Sequence, residues 1–234
     1  MATCIIMPTV PRRVASANEV VRRLLPQTDC MIVHLNGHTE VPRWARDRRV
    51  RLALHPPGTG PISRLSLMPD SAEYVFFVDD DLRYPTNYVA RSVDALARLG
   101  PKHAICYHGS RWPKGAKLVD TAREVIPYSA SVAKDLPVTY MGSGTAGFHR
   151  STLLRLDRAA PKMFEYEDDV WTSAACARKG IRMTRVSSPA NWIVPLATAY
   201  DAGALYRNAS SSAYVHRNKA LKAAFAMGGW NPSL

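Results

Sequence analysis

The 234-residue sequence predicts an α/β fold: a single domain with a mainly parallel central sheet and helices on both faces. Three observations carry this. Short apolar runs alternate with stretches of helical spacing up to about residue 108. The most hydrophobic run, Tyr74–Val78 (YVFFV), is continuously apolar, as a strand buried on both faces must be. No internal repeat or low-complexity linker divides the chain.

Taken in order, Ala2–Met7 is an apolar strand ending in Pro8. Val14–Leu25 has helical spacing through Ala17, Val20, Val21, Leu24 and Leu25. Cys30–Leu35 is a second strand, closed by the turn pair Asn36-Gly37, and Arg49–Leu54 alternates as a third. The loop His55-Pro56-Pro57-Gly58-Thr59-Gly60-Pro61 leads into a short helix from Ile62 to Met68. Tyr74–Val78 then runs into three aspartates, and Pro85 opens a helix reaching Leu99. His103–Tyr107 is one more strand. Beyond it the pattern loosens: Arg111–Asp135 reads as a hairpin or a mobile loop, and Gly142–Phe148 (GSGTAGF) as a small-residue stretch that lets backbone approach a neighbour closely. Glu167–Lys179 is a helix with acids at its start and Gly180 past its end. Strand-like Ile181–Val186 and Trp192–Leu196 precede a basic helix from Ser211 to Met227.

Composition bounds the function. With 47% hydrophobic and 21% charged residues the chain is globular, and its apolar runs are far below the roughly 18–20 residues of a membrane-spanning helix. The first residues lack the charged and long apolar regions of a secretory signal. Cys4, Cys30, Cys106 and Cys176 form no CxxC pair and sit in apolar surroundings, so they read as buried free thiols of a reducing compartment, and the cytoplasm is the expected location. The excess of 31 Lys+Arg over 19 Asp+Glu, a net +12, calls for an anionic partner: nucleic acid, phosphate-rich small molecules or acidic lipid.

Two carboxylate clusters carry the chemistry. A D-x-D pattern alone means little, since about 0.7 is expected by chance in this composition. Asp79-Asp80-Asp81, however, closes the most buried strand, where open α/β sheets place their ligand crevice. Three adjacent carboxylates repel one another unless a cation compensates them, and Mn²⁺ or Mg²⁺ takes such oxygen ligands while bridging to phosphates. The second cluster, Glu165-Tyr166-Glu167-Asp168-Asp169, could simply cap a helix. Facing the same crevice, one of its carboxylates could act as a general base, its pKa raised by the neighbouring acids.

This order of features resembles the nucleotide-sugar glycosyltransferases of the GT-A (Rossmann-like) fold: a first strand ending in Pro8-Thr9, YVFFV closing on the aspartates, GSGTAGF, then an acidic helix start. The small inverting bacterial and viral members are the most similar. The resemblance implies a metal-dependent inverting hexosyltransferase that moves a sugar from a nucleotide-sugar, UDP-sugar first, to a hydroxyl of a glycan, lipid-linked glycan or other acceptor. It implies that residues 1–108 bind the donor and 109–234 the acceptor. Asp79 and Asp81 match the metal and diphosphate ligands, and Asp80 would touch sugar or ribose. Pro8, Thr9 and Arg13 lie where the nucleotide is held, Asn36 in the base-contacting region, and Arg64 in a segment that meets the donor. Asp168 matches the general base, with Asp169 its competitor. His216 falls where a further metal ligand often sits, beside Arg217 and Lys219, which suit a diphosphate clamp with Arg12. The segments 111–135 and 210–217 would order over bound donor. Trp112, Trp171 and Trp192 read as core before sugar platforms, and His108 and His149 as weaker candidates still.

Two rivals remain. A sugar-nucleotide nucleotidyltransferase would open with a glycine-rich basic loop, whereas Met7–Arg13 has arginines but no glycine. A basic nucleic-acid-binding module rests on charge alone and shows none of the usual motifs, so nucleic acid is not expected as partner. Excess basic charge suits peripheral contact with an anionic membrane.

Overall fold

The computed structural model describes residues 1–201 and 211–232. Ser210, at the start of one segment expected to order over donor, lies outside the described residues. The chain runs β1 (Thr3–Thr9), α1 (Val14–Leu24), β2 (Cys30–Asn36), β3 (Val50–His55), β4 (Tyr74–Phe77), β5 (Leu82–Arg83), α2 (Tyr88–Leu99), β6 (His103–Cys106), β7 (Gly109–Arg111), β8 (Glu124–Ile126), β9 (Leu136–Val138), β10 (Tyr140–Met141), β11 (Gly147–His149), α3 (Arg150–Leu154), α4 (Asp168–Arg178), β12 (Arg182–Arg185), β13 (Val194–Pro195) and α5 (Ser211–Ala226).

Eight strands form the central sheet in the order β3-β2-β1-β4-β11-β6-β12-β9. β1 through β4 are mutually parallel where they pair, as are β6 and β12, while β11 runs antiparallel between β4 and β6 and β9 runs antiparallel at the edge. The sheet is therefore α/β and mostly parallel, and it draws strands from both halves of the chain. Pro8 is tolerated inside β1 because β4 ends at Phe77, level with Ile6, so that side of the ladder is already finished at Pro8.

The reversal of β11 positions the site. A strand antiparallel to β4 begins where β4 ends: Gly147 sits opposite Phe76, and Phe77 N–H donates to the Ala146 carbonyl at 2.8 Å. The small residues ahead of β11 are thereby delivered to the edge where the aspartate triplet begins. β6 also ends at that edge, bringing His108 beside them.

Alternation along each strand feeds two cores. Cys4, Ile6, Val75 and Phe77 face one side and pack with Phe164, Trp171 and Leu221. Ile5, Met7, Phe76 and Val78 face the other, under Val20 and Leu24 of α1 and Leu96 of α2. Trp112 and Trp171 are core residues, and Trp192 packs half-buried against the second cluster.

Two expectations change, and a third, left open between a hairpin and a mobile loop, is resolved. Ile62–Met68 shortens to a 3₁₀ turn over Pro61–Leu65. Residues 111–135 include a hairpin arm, with β7 and β8 paired antiparallel and Arg111 bonded to Glu124 at 2.9 Å. Cys4 and Cys30 are joined as a disulfide rather than free thiols, whereas Cys106 and Cys176 are free and buried as expected. The physical reason is register: β1 and β2 pair in parallel with Cys4 directly opposite Cys30, their Cα atoms 4.7 Å apart. The cysteine argument for a reducing compartment therefore does not hold for this pair. No helix among the described residues is long and apolar enough to cross a membrane.

Candidate active site

Asp79, Asp80 and Asp81 follow β4 after the single residue Val78, at the C-terminal edge of the parallel strands. Burying them together requires compensation, and two arginines supply it. Arg13, in the turn between β1 and α1, donates one guanidinium nitrogen to Asp80 at 2.8 Å and lies 2.9 Å from Asp81. Arg64, in the Pro61–Leu65 turn, donates to Asp79 Oδ1 at 2.8 Å. Burial and the nearby charge of Asp79 raise the Asp81 carboxyl to about 7, against the pull of Arg13. Tyr84 fixes the backbone of the triplet: its hydroxyl accepts from Asp79 N–H at 2.8 Å and donates to the Gly144 carbonyl at 2.6 Å. Nothing in the sequence marks Tyr84, because a tyrosine after an acidic turn reads as core.

The second cluster meets the first through the same arginine. Arg64 Nε stands 3.1 Å from Asp168 Oδ2, so one guanidinium that is 2% exposed bridges Asp79 and Asp168. Ser143, delivered by the segment before β11, holds the pair of acids at the start of α4. Its amide donates to Asp169 Oδ1 at 2.7 Å, and its hydroxyl lies 2.5 Å from both Asp168 Oδ2 and Asp169 Oδ1. One hydroxyl has one proton to give, so Ser143 can donate to only one of the two carboxylates at a time. Burial first, then the charge of Asp169, raises the Asp168 carboxyl to about 6, with Arg64 opposing. Ser143 and Arg64 occupy Asp168 Oδ2 and Ser143 occupies Asp169 Oδ1, so each carboxylate keeps a second oxygen for a ligand.

Gly144 explains why this stretch is small. A Cβ built there would stand 1.8 Å from Asp79 Oδ2 and 2.2 Å from its Cγ. Gly144→Ala must therefore swing the Asp79 carboxylate off Arg64. The expected result is loss of the Asp79–Arg64 ion pair, which costs about 1 kcal/mol because Asp79 is partly exposed, and so a melting temperature lowered by about 2–4 °C. Differential scanning calorimetry checks it, and an unchanged melting temperature would refute it.

The remaining sequence-predicted residues are distributed as follows. Thr9 is buried against Asp80, and Pro8 is buried one step earlier in β1. Asn36 ends β2, buried, its amide nitrogen 3.4 Å from both the Gly60 carbonyl and Ser63 Oγ, and its Oδ1 has no hydrogen-bond partner. Beside it, His34 and His55 stack with Nδ1 and Nε2 2.8 Å apart, and burial holds the His34 imidazole neutral, down to about 3, with His55 and Arg64 adding to the effect. This histidine pair was not expected from the sequence, since each sits singly in its own strand. Arg217 on α5 is bonded to Glu167 at 2.8 Å and lies 3.9 Å from Asp120, which places it at the rim of the acidic turn. Asp120 in turn bonds Arg123 at 2.5 Å. His216 and Lys219 are exposed on α5, and Arg12 is exposed beside Arg13.

Among the described residues, no three His, Cys, Asp or Glu side chains form a ready-made metal cluster, and His216 is not gathered with Asp79 and Asp81. Mg²⁺ or Mn²⁺ needs no such cage: one or two carboxylates plus substrate phosphates are its usual protein-side complement. Asp79, whose side chain is 38% exposed, and Asp81, whose carboxyl is pushed toward protonation by burial and then by Asp79, suit that role. A cavity of about 690 Å³ lies at the opposite edge of the sheet, around Thr3, Thr28 and Arg48, and contains none of these residues.

No family model matches the sequence, and no curated protein matches it. Among solved structures, the chain is similar to 4-diphosphocytidyl-2C-methyl-D-erythritol synthase from Anaerococcus prevotii DSM 20548, at 12% identity over 64% of this chain and 70% of that one, with a TM-score of 0.38. It is similar also to galactosyltransferase LgtC in complex with donor and acceptor sugar analogs, at 13% identity over 66% of this chain and 60% of that one, with a TM-score of 0.41. The chain thus spans less than two thirds of the galactosyltransferase's length. Both likenesses are partial overlaps of α/β architecture.

Proposed function

We propose that the protein is a metal-dependent inverting glycosyltransferase that moves a sugar from a nucleotide-sugar, UDP-sugar first, to an acceptor hydroxyl. One observation carries the reading: two carboxylate clusters from distant parts of the sequence converge on the single buried guanidinium of Arg64. Such an arrangement separates two tasks within one crevice. Asp79 and Asp81 would hold a divalent cation, which supplies Lewis-acid neutralisation of the departing nucleoside diphosphate. Asp168, held by Ser143 and tuned toward neutrality, would accept the proton of the attacking hydroxyl. A single base on the face opposite the leaving group is what inversion requires. Arg13 and Arg64 hold the carboxylates apart until donor and cation arrive, and the unpartnered Asn36 Oδ1 offers an acceptor to the N–H edge of a base such as uracil.

A thermal-shift panel of UDP-, GDP-, dTDP- and CMP-sugars, with and without Mn²⁺, tests nucleotide, metal and class together. The expected result is stabilisation by a UDP-sugar only when Mn²⁺ is present, and its loss in Asp81→Ala. Stabilisation by a nucleoside triphosphate and by no nucleotide-sugar would turn the assignment to nucleotidyl transfer. A steep, salt-dependent affinity for RNA or DNA without any nucleotide response would turn it to nucleic-acid binding.

A further inference from the structure

His108 lies at the same sheet edge as both carboxylate clusters and has no part in the chemistry above. Its backbone is locked to the segment that carries Ser143: its amide donates to Thr145 Oγ1 at 3.0 Å, and its carbonyl accepts from Gly142 N–H at 2.8 Å. The side chain covers Gly142, where a Cβ would stand 3.1 Å from His108 Cβ and Cδ2, so glycine is the residue that lets the imidazole lie against this loop. On the other side the ring meets Tyr128, centroids 5.7 Å apart. His108 is partly exposed, yet its Nδ1 is buried with no hydrogen-bond partner. Burial holds the ring neutral, near 4, with Arg123, Arg185 and Arg217 adding to that effect and only Asp169 opposing it.

A neutral imidazole is one donor and one acceptor, and a hydroxyl can satisfy either. We propose that His108 is an acceptor-positioning residue: while Asp168 faces the attacking hydroxyl, His108 and Asp169 hold a second hydroxyl of the same molecule, so the acceptor is a polyol such as a sugar rather than a lone alcohol. This rests on the glycosyltransferase reading of the crevice. It adds a substrate class, because a serine side chain or a lipid alcohol has no second hydroxyl to occupy the imidazole.

The test uses ¹⁵N-labelled protein loaded with UDP and Mg²⁺, observing histidine side-chain nitrogens during titration with methyl glucopyranosides and galactopyranosides, and separately with N-acetylserine amide and n-butanol. At least one glycoside is expected to move the His108 signals, and neither single-hydroxyl compound is. His108→Phe, which fills the space without hydrogen-bonding, should weaken glycoside binding about tenfold and leave UDP–Mg²⁺ affinity unchanged. His108→Asn, which restores a polar atom near Nδ1, should recover part of it. Binding of UDP–Mg²⁺ with no glycoside response, an equal response to butanol, or wild-type glycoside affinity in His108→Phe would each overturn the proposal. Failure to bind UDP–Mg²⁺ at all would instead remove the reading on which it rests.

Discussion

Arg64→Met is expected to lower stability by about 3–5 kcal/mol and to abolish nucleotide–metal binding, the cost range for removing one partner from a buried ion pair. The guanidinium is 2% exposed, with Nε on Asp168 and a terminal nitrogen on Asp79, and it lies over the Phe77 ring at 5.8 Å from its centroid. Burial works against its charge, and Asp168 and Asp79 together outweigh that and hold it firmly protonated. A methionine fills similar volume, so the loss is electrostatic rather than a packing void. It leaves two carboxylates in one low-dielectric crevice with nothing between them. For a chain of this size the melting temperature should fall by roughly 6–20 °C at neutral pH. The same substitution made with Asp168→Asn should recover part of the loss, because one of the uncompensated charges is then gone. Arg64→Lys keeps the charge but not the fork that reaches both carboxylates, so it should fold nearly normally yet bind nucleotide and metal weakly. Differential scanning calorimetry and titration calorimetry on the three variants check this. Wild-type stability in Arg64→Met would refute the bridging role.

That arginine also marks where sequence reasoning ends. β1 to β4, α1 and α2 are legible because the strands show as apolar runs or, in β3, as alternation, and the helices are long enough for a period of 3.6 to show, and the two acidic clusters stand out by composition. Arg64 sits in a five-residue turn without periodicity, and its link to Asp168 exists only after β11 reverses and carries Ser143 to the edge of β4. β11 itself spans three residues, too few to display alternation, so GSGTAGF reads only as a small-residue stretch although its end enters the middle of the sheet. The close approach expected there is real, and its partner is the Asp79 carboxylate. The Cys4–Cys30 pair was invisible for a related reason: it depends on the register of two parallel strands, which a linear spacing does not encode. Arg217 is similar: its charge is legible, but its ion pairs with Glu167 and Asp120 exist only once α5 packs beside the acidic turn.

Asp168→Asn should leave UDP–Mn²⁺ affinity within about twofold of wild type while lowering kcat by about 10²–10⁴, the contribution typical of a positioned general base. The amide keeps the shape of the side chain and its bond to Ser143 but cannot take a proton from the acceptor. The pH profile separates this from a structural effect. On the proposed reading only ionised Asp168 would be active, and its carboxyl is raised to about 6 by burial, then by Asp169 and more weakly by Asp79, with Arg64 and the Ser143 hydroxyl pulling the other way. Wild-type kcat/KM should therefore climb as pH rises through about 6 and level off above it. Asp169→Asn removes a like charge while keeping an oxygen for the Ser143 amide, so it should shift this limb to lower pH and leave the plateau standing. A residue that merely shaped the crevice would lower the plateau without moving the limb. Full activity in Asp168→Asn, together with collapse in Asp169→Asn, would transfer the base to Asp169, the other acid that Ser143 holds.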